Sequence, residues 1–80
     1  MRNEYIINLN DMNKLRQFTM DVLYKIDSHI DAIYGKQCVD AKSLLGLVTL
    51  ANHDIKVVMH SDNEKELELF KNICERYEVK

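Results

Sequence analysis

The sequence predicts an α+β fold in the order β-α-β-β-α-β-α, with a four-stranded antiparallel sheet and three helices on one face. Three observations support this prediction. The chain of 80 residues has room for one hydrophobic core, so residues 1–80 form a single domain. Segments of alternating apolar residues are interspersed with segments whose apolar residues recur at three- and four-residue steps. With this order the strands must be largely antiparallel, and the second face of the sheet is left open.

The first half of the chain predicts two strands and the helix between them. Apolar and polar residues alternate around Tyr5, Ile7 and Leu9, which is typical of a strand. Asn10 and Asp11 then offer oxygens that can cap a helix. The helix is expected from about residue 11 to residue 26, and its apolar stripe comprises Leu15, Phe18 or Thr19, Val22 and Ile26. Alternation over residues 30–34 predicts the second strand.

The second half predicts two more strands and two helices. Gly35-Lys36 is expected to turn the chain into a short strand over residues 37–39, followed by a short helix over residues 40–49. After a loop at residues 52–54, the alternation of Ile55, Val57 and Met59 predicts the fourth strand. Ser61-Asp62-Asn63-Glu64 has the spacing of a capping box for the last helix. The apolar stripe of that helix comprises Leu67, Phe70, Ile73 or Cys74, and Tyr77.

Composition and charge exclude several classes of protein. The net charge of −2 argues against direct nucleic-acid binding, which favours a basic surface. No apolar run is long enough to cross a bilayer, and the polar start does not resemble a signal peptide. Cys38 and Cys74 lie far apart, outside any CxxC spacing, and are expected to be small core residues of a reduced protein. These features together predict a cytoplasmic protein without a membrane partner.

One segment resembles a known family. Residues 39–50 read V-D-A-K-S-L-L-G-L-V-T-L, which resembles the region around the regulatory serine of HPr, the phosphocarrier family of the bacterial sugar phosphotransferase system. That region usually reads V-N-A-K-S-I-M-G-L-M-S-L. The order of elements also agrees, so the resemblance spans residues 4–78, with similarity of pattern only outside the central dozen residues. It implies an HPr-like open-faced sandwich.

The chain departs from the family at its phosphorylation site. HPr carries its phosphoryl group on a histidine in a G-x-H-x-R-P type motif at the start of the first helix. The corresponding residues 9–16 read L-N-D-M-N-K-L-R and contain no histidine, glycine or proline. Arg16 matches the arginine of the motif loosely, and Asp11 would repel an incoming phosphoryl group. We therefore expect a divergent member that is not a histidine phosphocarrier and not an enzyme, with no cofactor.

The resemblance instead implies a regulatory surface around the second helix. Ser43 corresponds to the serine that a dedicated kinase phosphorylates in Gram-positive HPr, after which the protein binds a transcriptional regulator. A hydroxyl at a helix start also has a plain capping role, and the two roles are compatible. Candidate partner-binding residues are Lys42, Leu44, Leu45, Gly46 and Val48, whereas Leu47 and Leu50 are expected in the core. The implied partners are a serine kinase, a transcriptional regulator or a phosphotransferase component acting in catabolite regulation.

Two alternative functions stay open at the level of the sequence. A phosphocarrier using a relocated histidine would draw on His29, His53 or His60, of which His53 is the most exposed by position. No two of these histidines have metal-ligand spacing in the sequence, so each is expected to be a solvated polar residue and no metal site is predicted. The second alternative is a small-molecule-binding or structural module that shares only the α+β topology.

Overall fold

A computed structural model describes residues 1–79, and it contains the seven predicted elements in the predicted order. The strands are β1 (Glu4–Asn8), β2 (Ile30–Tyr34), β3 (Gln37–Asp40) and β4 (Asp54–Met59). The helices are α1 (Met12–Lys25), α2 (Leu44–Val48) and α3 (Glu64–Glu75). Within residues 1–79, no helix combines the length and apolar character needed to cross a membrane.

The four strands form one sheet in the order β1-β4-β2-β3, and every neighbouring pair is antiparallel. Ile7 lies opposite Ile55, and Ala32 lies opposite Val57. Because side chains alternate across a strand, these residues share one face of the sheet. The three helices pack on that face, with α1 in contact with both α2 and α3. The α+β open-faced sandwich predicted from the sequence is confirmed.

The hydrophobic core lies between the helices and the sheet. The predicted inward positions of the strands and of α1 are buried except for Tyr34, the last residue of β2, which is exposed; the buried ones are Tyr5, Ile7, Leu9, Leu15, Phe18, Thr19, Val22, Ile26, Ile30, Ala32, Ile55, Val57 and Met59. Leu47 and Leu50 join them, as do Leu67, Phe70, Ile73 and Cys74 from α3. Each large side chain buried in this way contributes about 1.5–3 kcal/mol of transfer free energy, so the apolar pattern of the sequence specifies the fold.

The second helix is shorter than predicted. We expected a helix over residues 40–49, but Asp40 still belongs to β3, where it lies opposite Asp31. The Asp40 carboxylate accepts a hydrogen bond from the amide of Lys42 at 2.9 Å, which closes a turn before the helix begins. This local bond of an aspartate to the backbone two residues ahead competes with helix formation. Regular α-helix therefore starts only at Leu44.

The cap of the last helix also differs from the prediction. The sequence suggested a capping box from Ser61 to Glu64, but the N-cap is Asn63, whose side chain accepts from the amide of Glu66 at 3.1 Å. Ser61 instead accepts from the amide of Asn63 at 3.1 Å and donates to the carboxylate of Glu66 at 3.0 Å. The predicted capping box does not form, because Ser61 and Asn63 form their hydrogen bonds with Glu66 and not with Glu64.

Cys38 corrects a further expectation. Cys74 is buried as predicted, whereas Cys38 is exposed, and both thiols are free. Cys38 lies opposite Ile33 on the edge strand β3, on the sheet face that no helix covers. Val39, opposite the buried Ala32, takes the position that faces the helices, so Cys38 points to the open face.

The outer edge of β1 is covered by the segment that follows α3. The amide of Asn8 donates to the carbonyl of Tyr77 at 3.1 Å, and the amide of Val79 donates to the carbonyl of Ile6 at 2.9 Å. The ring of Tyr77 packs edge-on against Phe18, with centroids 5.8 Å apart. This segment ties α1 to the edge of the sheet.

Candidate functional site

Ser43 lies at the start of α2 and caps it. Its half-buried hydroxyl oxygen accepts a hydrogen bond from the amide of Gly46 at 3.2 Å. Its own amide donates to the carbonyl of Asp40 at 3.0 Å, so the turn after β3 fixes its position. The capping role expected for Ser43 is confirmed, and its regulatory role stays a prediction.

Lys42 has a structural contact that the sequence did not indicate. Its ammonium donates to the carbonyl oxygen of Ile26 at 2.5 Å, and Ile26 is the C-cap of α1. A positive charge at this position stabilises the exposed carbonyls and the negative end of the helix dipole. Lys42 therefore connects the end of α1 to the start of α2.

The other candidate residues of α2 divide into two groups. Leu44, Leu45 and Val48 point outward, and Leu45 is 84% exposed. Gly46 faces β3, where an added Cβ would lie 3.1 Å from the Cβ of Val39. This close approach of helix and strand explains the glycine, which costs stability in a helix interior. Its predicted partner contact stays untested.

Two further exposed apolar side chains lie on α1, the helix that contacts α2, and sequence reasoning missed them. Asp21 bonds Arg76 at the end of α3, so α3 lies along one flank of α1. A helix turns by about 100° per residue, which places Leu23 on the flank of α1 away from Arg76, with Met20 on the same outer side. Both side chains are exposed. We call Met20, Leu23, Leu44, Leu45 and Val48 the α1–α2 surface. The only signal in the sequence was that Met20 and Leu23 fall outside the buried stripe of α1.

The start of α1 lacks the groups of a phosphohistidine site. Asp11 is the N-cap, and its carboxylate accepts from the amide of Asn13 at 2.7 Å. The chain's own negative charge thus takes up a free amide of the first turn, where a phosphoryl group would otherwise accept hydrogen bonds. Lys14 and Arg16 are exposed.

The three histidines do not behave alike. All are exposed, as expected, and His53 stacks on Tyr34 with ring centroids 4.1 Å apart. His29 and His60 come together although they are distant in the sequence, because the amide of His60 donates to the carbonyl of His29 at 2.9 Å beside the β2–β4 pairing. Their rings stack 5.7 Å apart. Only the register of the two strands predicts this pairing, and the sequence did not reveal it.

Asp31 lies between the two paired histidines. Nε2 of His29 is 2.7 Å from Oδ1 of Asp31, and Nε2 of His60 is 2.8 Å from Oδ2 of the same carboxylate. The hydrogen bond from His60, followed by that from His29, lowers the pKa of the Asp31 carboxyl against the opposing effect of desolvation. The carboxylate is therefore ionised over the neutral pH range.

Glu66 organises the polar end next to this cluster. Its carboxylate accepts hydrogen bonds from the Ser28 hydroxyl at 2.5 Å and from the amides of Asp27 and Ser28 at 2.8 and 3.2 Å. The hydroxyl of Ser61 is a fourth donor. The bond from the Ser28 hydroxyl, followed by the amide bonds, lowers the pKa of Glu66 to about 2. Ser28 directly precedes His29 in the sequence, and Ser61 directly follows His60. The bonds of Glu66 to these two serines therefore hold the chain in place next to each paired histidine.

Comparison with known proteins does not add a family to this description. No protein-family model matches the sequence, and no curated protein matches it either.

Proposed function

We propose that this protein is an HPr-like regulatory domain of a bacterial cytoplasm that binds protein partners through the α1–α2 surface. The observation that carries the proposal is the exposure of Leu45 at 84%, together with Leu44, Val48 and the two neighbouring residues of α1. Several exposed apolar side chains on two neighbouring helices are typical of a docking site. The resemblance of residues 39–50 to the HPr serine region gives the class of partner, namely a serine kinase, a transcriptional regulator or a phosphotransferase component.

Ser43 is the proposed point of regulation. It directly precedes Leu44, so a phosphate on its hydroxyl would place a charge of about −1.5 to −2 at the border of the apolar surface. The phosphate oxygens can still accept from the amide of Gly46, so the cap of α2 is retained. The modification would therefore change which partners fit the surface while leaving the fold in place.

The same proposal includes no histidine phosphocarrier activity at the start of α1. The start of α1 has an aspartate as its cap and no histidine in residues 9–16, and neither feature serves a phosphorylated imidazole. We propose no enzymatic activity for the domain.

A phosphorylation assay tests both parts of the proposal. With a serine kinase that acts on HPr and with ATP, we expect one phosphate per chain on the wild type and none on Ser43→Ala. Leu45→Asp should lower kcat/KM by about tenfold or more, because a charge in a docking surface disrupts binding. The matched control is Leu69→Asp, which alters an exposed leucine on α3, outside the α1–α2 surface.

The outcomes separate the two parts. Absence of phosphate on the wild type would remove the regulatory role of Ser43. Equal loss of kcat/KM in Leu45→Asp and Leu69→Asp would remove the docking role of the α1–α2 surface. Circular dichroism of each variant checks that the fold is intact.

A further inference from the structure

The edge strand β3 has backbone groups that its neighbour β2 does not use. The amide of Ala41 donates to the carbonyl of Ile30 at 2.9 Å, one position beyond the Asp31–Asp40 pair. Hydrogen-bonded and non-hydrogen-bonded pairs alternate along an antiparallel ladder. Cys38 and Asp40 therefore belong to non-hydrogen-bonded pairs, and their amides and carbonyls point away from β2, to the open edge of the sheet.

Three of these four groups have no backbone partner among residues 1–79. The carbonyl of Asp40 accepts a hydrogen bond from the amide of Ser43 at 3.0 Å, whereas the amide of Asp40 and both groups of Cys38 are unpaired. Cys38 and Asp40 are exposed, so solvent reaches this edge. An exposed strand edge with unpaired groups is a template for a further strand.

A second copy of β3 satisfies all three groups in one antiparallel register. With Cys38 opposite Cys38 of the second copy, the two residues exchange two hydrogen bonds through their unpaired amides and carbonyls. The next pair sets Asp40 opposite Lys36 of the second copy, so the amide of Asp40 can donate to the carbonyl of that lysine. A shift of two residues would instead set Cys38 opposite Asp40, whose carbonyl is already bonded to Ser43.

The charges of the edge favour the same register. Within one chain, Asp40 lies opposite Asp31 across the β2–β3 pairing. Like charges directly opposite each other destabilise a strand pair, and opposite charges stabilise it. Pairing with a second copy brings Lys36 opposite Asp40 at two symmetric places, so each aspartate gains a neighbour of opposite charge.

An exposed apolar side chain lies beside this edge. Gly46 of α2 faces Val39 of β3, and Leu45 and Leu47 lie about 100° to either side of it around the helix. Leu47 is buried in the core, so Leu45, which is 84% exposed, lies on the outer side of α2, towards the open edge. A strand added at that edge would cover part of Leu45.

We propose that two copies of this chain pair through β3 in this register and join their four-stranded sheets into one continuous sheet. The arrangement is a twofold symmetric dimer, in which the same strand serves as both halves of the interface. The pairing does not depend on the function proposed above. Because it covers Leu45, the dimer and a partner that docks on the α1–α2 surface would compete for the same side chain.

Sedimentation equilibrium of the untagged full chain tests the dimer. The buffer contains a thiol reductant, so that no disulfide can form between Cys38 residues. At protein concentrations up to about 1 mM we expect a monomer–dimer equilibrium with a Kd below about 1 mM. Amide hydrogen exchange of Cys38 should slow in proportion to the fraction of dimer, whereas that of Ala41, already bonded within the chain, should not change.

A charge exchange tests the register. Lys36→Asp should weaken the Kd of the dimer by about fivefold or more, because it sets an aspartate opposite Asp40 at both places. The double variant Lys36→Asp with Asp40→Lys keeps the net charge of the wild type and should recover the Kd to within about threefold. The matched control is Lys14→Asp, which makes the same change of charge at an exposed position of α1 and should stay within about twofold of the wild type.

Four results would overturn the proposal. They are a wild type that stays monomeric at about 1 mM; a Cys38 amide whose exchange does not change with concentration; equal weakening by Lys36→Asp and Lys14→Asp; and a double variant, folded by circular dichroism, that stays as weak as Lys36→Asp. The outcome is independent of the kinase assay, because Ser43 and Leu45 are unchanged in every variant.

Discussion

Glu66 shows how a single side chain connects three segments of the chain. Its carboxylate accepts from the loop after α1 through Asp27 and Ser28, and from the loop before α3 through Ser61. Four donors around one charged acceptor form strong hydrogen bonds, because each is assisted by the negative charge. The same bonds hold the pKa of Glu66 at about 2, well below its ordinary value of 4.5.

This depressed pKa predicts a dependence of stability on pH. A carboxyl with a lower pKa in the folded state stabilises the protein above its unfolded pKa, and that contribution is lost as the pH falls from about 5 to about 2. Glu66→Gln should lower the free energy of unfolding by about 1–2 kcal/mol at pH 7. The difference from the wild type should shrink steadily below pH 5, as measured by urea denaturation.

The control is Glu68→Gln, an exposed glutamate on the same helix, which we expect to change stability by less than about 0.5 kcal/mol. A Glu66→Gln deficit that stays constant between pH 7 and pH 2 would contradict the assigned role of the carboxylate.

Residue-level features were the hardest to predict from the sequence. Burial at alternating strand positions was predictable, because successive side chains of a strand point to opposite faces and apolar residues at every second position therefore share one face. The convergence of His29 and His60 on Asp31 was not, because it depends on the register of β2 against β4, which local sequence does not encode. Cys38 was placed in the core for the related reason that periodicity does not say which face of an edge strand is covered.

At the level of elements, α1 and α3 are held together by an ion pair at the border of the core. The Asp21 side chain is only 10% exposed, and its Oδ2 accepts from Nη1 of Arg76 at 3.1 Å. Lys25 is a weaker partner at 3.8 Å. A nearly buried carboxylate needs such partners, because burial without them costs more than the pair contributes.

Arg76→Ala should therefore destabilise the protein by about 1–2 kcal/mol in chemical denaturation at neutral pH. The expected loss comes from the uncompensated charge of Asp21. The double variant Asp21→Asn with Arg76→Ala should recover part of it, since the buried charge is then absent. Arg16→Ala, which alters an exposed arginine of α1, is the matched control, and an equal loss there would contradict the role of the pair.

The bounds of α1 were predictable, and those of α2 were not. Asp11 and Ile26 flank α1 as its caps, within a residue of the expected ends, because a long stripe and a capping side chain agree there. The closely spaced leucines of α2 predict a helix. Asp40 and Ser43, however, accept hydrogen bonds from nearby backbone amides, so the helix begins only after Ser43. The exposure of Leu44, Leu45 and Val48 could be predicted, because a short helix with this many apolar residues cannot bury all of them. The contribution of α1 to the same surface could not be predicted, because it depends on how the helices pack.

At the level of the whole molecule, the segment after α3 closes one edge of the sheet. Ile7 and Glu78 form an antiparallel bridge, and Arg2 reaches Glu78 at 2.7 Å across the same edge. An uncovered edge strand is prone to pair with other chains, so this cover also protects β1. The other edge, β3, is a strand of four residues.

Tyr77→Ala should loosen this closure. The half-buried ring packs edge-on against Phe18, and its removal should cost about 2 kcal/mol from lost burial and aromatic contact. The measurement is the midpoint of thermal unfolding, with amide exchange of Asn8 as a local readout. Val79→Ala, at an exposed position of the same segment, should change the midpoint little. If both variants melt alike, the contact with Phe18 does not hold the segment.

The strand order also governs how the chain folds in time. The β2–β3 hairpin can form from neighbouring residues, but β1 finds its partner β4 only across 46 positions, the separation of Asn8 and Asp54. Pairing over such a distance must overcome the entropy of closing a long loop before any contact compensates for it. During synthesis on the ribosome, β1 therefore leaves the exit tunnel long before β4. The first strand therefore has no strand partner until the sixth decade of residues has emerged, when β1 joins β4 at the edge of the sheet.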